Sequence, residues 1–444
     1  MHTYEYIAHK TDAKKKRTMT KFSPSSMWRV RNMVHLFAWF LAYAEQMFVS
    51  KRRHVLRRWN LSRRREYARE KKKNGREKGV PPKRKPKGKR VAYFVTGWSS
   101  GIGFETCLSL LQGHKEEEMV VELHLPTRAF PPGGVGNKGR LREGGDEEAN
   151  DAGKRLRSEA KSRGLIETGE KEKKRRIVLA KIDLDCATLA IDAGARKRAR
   201  KYFAENEVDV LIHCAAECNA ERKVLVLEEG GVDREAMCNV LGPAVLTKLW
   251  RDEMSVNDNR EDGVGGAMKK TVVFVGSFTH RARLGVCTRA NAKEWINRLD
   301  RCASARKEKD FETLGVRYAL SKLMVTAYAL GKMREEEDRD DSFVRVKVVD
   351  PGLCRTKLTR TWPKALRLLY EIPMRTVGLL EHPRKGAERI VRAATLSEDN
   401  EKEKEWSNAV AYSHIARDEL VQRLCVKAVD GFMERENARG CISY

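Results

Sequence analysis

Six short runs rich in β-branched and apolar residues recur along the chain, at 91–95, 119–125, 176–182, 208–213, 271–275 and 344–349. Stretches with helical periodicity stand between and after them, at 102–113, 151–163, 187–205, 233–254, 314–335 and 384–396. A strand exposed on one face alternates apolar with polar residues, whereas a strand covered on both faces reads as a nearly continuous apolar run. Such runs alternating with amphipathic helices predict α/β architecture: one doubly wound parallel sheet with helices on both faces. The segment 129–150, glycine-rich and then acidic, is expected to be an exposed loop, as are 255–269 and 398–406.

The turn after the first strand reads Thr96-Gly97-Trp98-Ser99-Ser100-Gly101-Ile102-Gly103. Glycines at these places let main chain turn tightly and approach a pyrophosphate, while the following helix offers free N–H groups and the positive end of its dipole. The second strand ends in Leu125-Pro126-Thr127-Arg128. A carboxylate there would bond a ribose 2′-hydroxyl, and an arginine instead suits a 2′-phosphate, so Arg128 favours NADP (NADPH) over NAD. The third strand ends in Asp183-Leu184-Asp185. Asp183 suits an adenine amino group, and Asp185 suits the N-cap of the next helix. Farther on, Tyr318 and Lys322 stand four residues apart, one turn apart on one helix face. An ammonium so placed would favour the phenolate and bring a phenol of pKa ~10 toward the range of an acid–base catalyst.

Charge divides the chain. Residues 1–90 hold 28 Lys/Arg and 6 Asp/Glu, a net +22, against +6 for the remainder. The basic excess therefore belongs to a leader, and the body from 91 to 444 is not expected to bind nucleic acid. Within the leader, 33–49 is the one long apolar stretch, and 17 residues is the short limit for a membrane span. One helical face carries His35, Ala38, Ala42, Glu45 and Gln46; the other carries Phe37, Phe40, Leu41, Ala44 and Phe48. That pattern suits a helix lying in a membrane interface as well as one crossing it. Residues 51–90 carry +17, which would place the body on the cytoplasmic side or bind anionic head groups. An organelle-targeting leader, plastid or mitochondrial, is the alternative. Residues 71–90, with three prolines among lysines, read as a linker. The ten cysteines are scattered, most in apolar runs, as buried thiols in a reducing compartment would be. His213, Cys214 and Cys218 are followed by no second ligand pair at zinc-site spacing.

Taken together, TGWSSGIG at 96–103, Asp183-Leu184, Asn239-Val240-Leu241-Gly242 with Leu246-Thr247, Val275-Gly276-Ser277, Tyr318/Lys322, and Asp350-Pro351-Gly352 with Thr356 resemble the short-chain dehydrogenase/reductase family over about 91–400. His280, Ser321 and the run His382-Pro383-Arg384-Lys385-Gly386-Ala387 resemble its retinol-dehydrogenase-like branch. The resemblance implies a single Rossmann-type domain. It implies that Tyr318 exchanges the proton at the substrate oxygen, that Lys322 lowers its pKa and holds the nicotinamide ribose, and that Ser277 positions that oxygen. Asn239 would hold a water linking Lys322 to solvent. Thr96, Gly97, Ser99, Ser100, Gly101, Ile102, Gly103, Arg128, Asp183, Leu184, Ala215, Pro351, Gly352 and Thr356 would line the cofactor, with Tyr318 and Lys322. Where the family has Asn-Asn-Ala-Gly after the fourth strand, this chain has His213-Cys214-Ala215-Ala216.

The resemblance thus implies an oxidoreductase interconverting an alcohol with its ketone or aldehyde. An apolar lid at 357–381, with Trp362, Leu366, Leu368, Leu369, Tyr370, Ile372 and Met374, suits a lipophilic substrate. The 41 positions from Ser277 to Tyr318 imply an inserted loop beside the site. The altered run at 213–216 keeps open a catalytically weak nucleotide-binding scaffold or sensor, and the sequence leaves a homodimer open.

Overall fold

The computed structural model describes residues 34–35, 37–42, 90–113, 120–127, 144–166, 175–219, 224–227, 230–257, 270–282, 286–301, 314–339, 343–376, 380–395 and 413–441. All six expected strands are present: β1 (Arg90–Thr96), β2 (Val120–Thr127), β3 (Arg175–Asp183), β4 (Val210–His213), β7 (Lys270–Val275) and β8 (Val344–Val349). They form one parallel sheet in the order β3-β2-β1-β4-β7-β8. The order reverses between β1 and β4, the Rossmann-type arrangement, and opens a crevice beyond the carboxyl ends of those two strands.

Burial explains the apolar runs. After Arg90, every residue of β1 is buried, as are all of β4 and five of the six residues of β7. Two cores flank the sheet. Phe94, Leu211, Val272 and Phe274 face one, shared with α4 (Ala193–Glu205), α6 (Gly242–Asn257), α8 (Leu314–Glu337) and α12 (Glu419–Cys441). Tyr93, Val95, Ile212 and Val273 face the other, shared with α2 (Gly101–Gly113), α3 (Gly144–Ser162) and α10 (Pro383–Thr395).

Several boundaries depart from expectation. The helix read at 187–205 begins only at Ala193, capped by Asp192, whose side chain accepts from Ala195 N. Asp185 caps the preceding turn instead, accepting from Ala187 N at 3.1 Å. The expected loop at 129–150 is helical from Gly144, and α6 runs to Asn257. The apolar lid holds a helix, α9 (Lys364–Thr376). A small antiparallel hairpin, β5 (Val224–Leu227) with β6 (Gly230–Asp233), and the helices α7 (Arg289–Arg301), α11 (His414–Arg417) and α12 were not foreseen. The stretch read as one helix at 233–254 is interrupted: α5 (Arg234–Ala236) leads into a wide π turn, Met237–Leu241, before α6. Residues 71–89 and 398–406 lie outside the described residues.

Part of the leader belongs to the body. Residues 34, 35 and 37–42 are helical (α1), and Ala38, Trp39 and Ala42 are buried in the first core. Val34, Phe37 and Leu41 stay exposed on the other side. Among the described residues no helix is long and apolar enough to cross a membrane.

Phe274 ties sheet to helix: its ring centroid lies 4.9 Å from that of His213 and 5.9 Å from that of Tyr328 in α8, and it is fully buried. Phe274→Ala is expected to cost about 3–5 kcal/mol, read as a lower urea midpoint with an unchanged slope.

Candidate active site

The glycine turn, Leu184, Ser277, the Tyr318/Lys322 pair and the run 351–356 come to the carboxyl edge of the sheet, around a cavity of about 610 Å³. At the β1 end, Gly97 has φ +66°. A Cβ there would lie 2.6 Å from Ala215 Cα, so only glycine lets this turn press against the end of β4. Thr96 Oγ1 accepts from Ala215 N at 3.2 Å and joins the two strand ends. Ser99, Ser100, Gly101, Ile102 and Gly103 line the cavity at the N-terminus of α2. Leu184 lines it from the β3 end, and Ala215 from the β4 end. Pro351, Gly352 and Thr356 close it beyond β8, with Gly352 N donating to Asp350 Oδ1 at 2.8 Å. Thr356 starts a 3₁₀ turn by accepting from Leu358 N at 3.3 Å. Asp183 ends β3 beside Thr127, but its side chain, and all of Arg128, lie outside the described residues. Arg155, which the sequence gave no reason to choose, reaches the cavity from α3, donates to Ser99 O and lies over the Phe104 ring at 4.7 Å.

At the other end of the cavity, α8 presents Tyr318 and Lys322, both buried. Ser277 leaves β7 in extended conformation, accepts from Thr279 Oγ1 at 3.1 Å and hydrogen-bonds Tyr318. Lys322 Nζ donates to Val275 O at 2.9 Å and lies 5.9 Å from the Tyr318 ring centroid. The expected lowering of the phenol by the lysine is not what this environment produces. Burial pushes Tyr318 well above its ordinary value, opposed only in part by the Ser277 hydrogen bond. The same burial pushes Lys322 down to about 8. Desolvating a charged form outweighs the attraction here, so both groups are driven toward neutrality.

Asn239 sits in the middle of the π turn. Its Oδ1 accepts from Glu217 N at 2.8 Å, and its Nδ2 donates to Glu217 O and to Ser321 Oγ, each at 2.9 Å. The side chain is spent on main chain and on Ser321 and makes no bond to Lys322. It belongs to a larger clamp on the segment that follows β4, at Glu217 and Asn219. Arg234 holds the Glu217 carboxylate and Asp185, both at 3.0 Å. Glu235 Oε1 accepts from Asn219 N at 2.7 Å, and Arg317 Nη2 donates to Asn219 O at 2.8 Å. Burial pushes the Glu235 carboxyl up to about 8 against the pull of Arg317. Sequence spacing held no signal for this network, because its members come from the turn after β3, from α5, from α8 and from the π turn.

Aromatic rings cover the site. Trp39 of α1 lines the cavity with its ring centroid 5.5 Å from that of Tyr318 and 6.2 Å from that of Trp362. Trp362 lies 5.4 Å from Tyr370 of α9. The signal for Trp39 was in the sequence: it stands beside Ala38 and Ala42, the small residues of one helical face.

No family model matches the chain, and no curated protein matches it. Solved structures do align with it. Salutaridine reductase from Papaver somniferum is 15% identical over 70% of this chain and 97% of its own, with a TM-score of 0.40. A short-chain dehydrogenase from Sphingobium yanoikuyae in complex with NADPH is 16% identical over 67% and 82%, with a TM-score of 0.39. An alcohol dehydrogenase from the archaeon Thermococcus sibiricus, complexed with 5-hydroxy-NADP, is 16% identical over 70% and 93%, with a TM-score of 0.40. Likeness at this level says nothing of what this chain binds or converts.

The depressed lysine has a stability consequence. Between about 8 and 10.5 the unfolded chain keeps the Lys322 proton that the folded chain has lost, so wild-type stability rises with pH across that window. Lys322→Met removes this dependence. Its stability relative to wild type should therefore be greatest at or below pH 7 and fall by about 3 kcal/mol by pH 10.5, measured by urea unfolding at each pH.

Proposed function

We propose that the chain is an NADP(H)-dependent oxidoreductase of the short-chain dehydrogenase/reductase kind, of the retinol-dehydrogenase-like branch. It would interconvert a lipophilic alcohol and its ketone or aldehyde. The observation that carries this reading is the meeting of Ser277, Tyr318 and Lys322 with the Gly97 turn in one cavity. The cofactor fits the residues present. Glycine stands where main chain must approach a pyrophosphate, the N-terminus of α2 faces the cavity, and residues 351–356 close its far side. When bound, NADP(H) supplies or takes up the hydride.

The protein groups handle the oxygen and the proton. Ser277 and Tyr318 hydroxyls, already hydrogen-bonded to each other, offer two donors to one substrate oxygen. Burial keeps the Tyr318 phenol protonated, ready to donate in the reducing direction. Below about pH 8 the Lys322 ammonium stands close enough to stabilise the phenolate left behind. Asn239 acts as a positioning residue, fixing the loop at Glu217 and the helix at Ser321. The preference for a 2′-phosphate rests on Arg128 and on Arg155, a cation that lines the cavity beside the α2 N-terminus. The alternative, a catalytically weak nucleotide-binding scaffold, rests on the altered run at 213–216. It would show as tight NADPH binding with no turnover across a panel of ketones and aldehydes.

A membrane surface is the proposed partner. Among the described residues, five of the six large apolar side chains left exposed (Val34, Phe37, Leu41, Leu368 and Ile372) belong to α1 and α9, the two elements that roof the cavity. Exposed Lys357, Arg360 and Lys364 stand beside α9, and the +17 run at 51–90 follows α1 in sequence. Apolar contact flanked by cations suits an anionic lipid interface, with the domain on the cytoplasmic side. A removed organelle-targeting leader suits less well, because α1 is part of the core.

Two experiments test this. Tyr318→Phe is expected to lower ketone reduction by about 10²–10⁴-fold while still binding NADPH, which should bind more tightly than NADH to the full chain. Undiminished turnover refutes the assignment. Phe37→Ser with Leu41→Ser is expected to weaken co-sedimentation with phosphatidylserine vesicles by roughly tenfold or more, and unchanged partitioning refutes the surface.

A further inference from the structure

We propose that the leader helix α1 is a wall of the substrate site and that Trp39 is a specificity-determining residue, setting the bulk of the molecule that reaches Tyr318. The inference rests on the reading of Tyr318 as the proton donor. Trp39 is 3% exposed and lines the cavity, its ring 5.5 Å from that of Tyr318. Its indole N–H donates to Gly315 O at 3.2 Å, which locks the ring's orientation to the first turn of α8. Both sides of this contact are built for closeness. Ala38 and Ala42 flank the indole on the buried face of α1. On α8 the facing residue is Gly315, where a Cβ would lie 2.8 Å from His35 Cβ.

An indole fixed this way occupies the space into which the carbon skeleton of a substrate would extend from its reacting carbonyl. With Trp362 and Tyr370 it forms one aromatic wall, and Trp39 is the member contributed from outside the domain's sheet-and-helix frame. The wall favours small lipophilic carbonyls over large ones. A hydrophobic pocket discriminates by about 10–200-fold per substrate methylene that it admits or excludes, enough to decide which substrates are used.

The test uses the full chain loaded with NADP⁺ and titrated calorimetrically with cyclohexanone and with 2-acetonaphthone. Wild type is compared with Trp39→Ala, Trp39→Phe and Gly315→Ala, with NADP⁺ binding reporting that each variant is folded. Trp39→Ala should shift the affinity ratio toward 2-acetonaphthone by about tenfold. Gly315→Ala, which pushes α1 away, should shift it the same way, and Trp39→Phe should shift it less. A ratio unchanged within twofold in both Trp39→Ala and Gly315→Ala overturns the proposal, as does the absence of ketone binding in every form. If the ratio shifts but no form oxidises NADPH with either ketone, the wall stands and the oxidoreductase reading falls.

Discussion

The active cavity depends on how the chain is held after β4 runs out of sheet. Residues 214–219 have left the ladder, and Asn239, Glu235 and Arg317 bond the main-chain N–H and C=O groups of Glu217 and Asn219 directly. Each partner is buried, so an unmade bond would carry the full desolvation cost, roughly 1–3 kcal/mol. The clamp therefore admits one loop conformation. Against that fixed loop the Gly97 turn closes, and from it α8 is oriented through Arg317 and Ser321. Arg234 adds its own ion pairs to Glu217 and Asp185, tying the ends of β3 and β4 together across the crevice.

The same burial that makes the clamp firm sets the chemistry of the Tyr318 and Lys322 pair. In water an ammonium beside a phenol would favour the phenolate. In a buried site neither charged form is cheap, and the phenol rises while the amine falls to about 8. The resting site thus holds a protonated phenol next to a lysine poised near neutrality. The Ser277 hydrogen bond draws the phenol back down in part. That arrangement suits a proton donor whose conjugate base needs stabilising only after the proton has gone.

Much of the architecture was legible in the sequence, for a reason that can be named. Six of the sheet's strands announced themselves because parallel strands buried on both faces must be apolar along their whole length. The glycine turn and the Tyr318/Lys322 spacing were legible because local geometry fixes them. The hairpin β5–β6 was missed because its strands are only four residues each. The late start of α4 at Ala193 was missed because Asp185 and Asp192 are both sound N-caps, and only packing chose between them. The π turn at 237–241 was invisible, since an extra residue in one turn leaves helical periodicity almost intact.

The sequence by itself determined the fold class, the order of the strands' motifs and the spacing of the glycine turn and the Tyr318/Lys322 pair, because these follow from periodicity and short-range geometry. Tertiary structure alone decided the ionisation of Tyr318 and Lys322, since burial is a property of what surrounds a residue rather than of its neighbours in the chain. It alone decided what holds residues 214–219, through partners brought from as far as Asn239 and Arg317. And it alone decided where the leader's apolar helix goes. Its two faces were readable from composition, but only the notch at Gly315 shows which face turns inward. Sequence carries the pattern of faces, and three-dimensional contact supplies the surface each face meets.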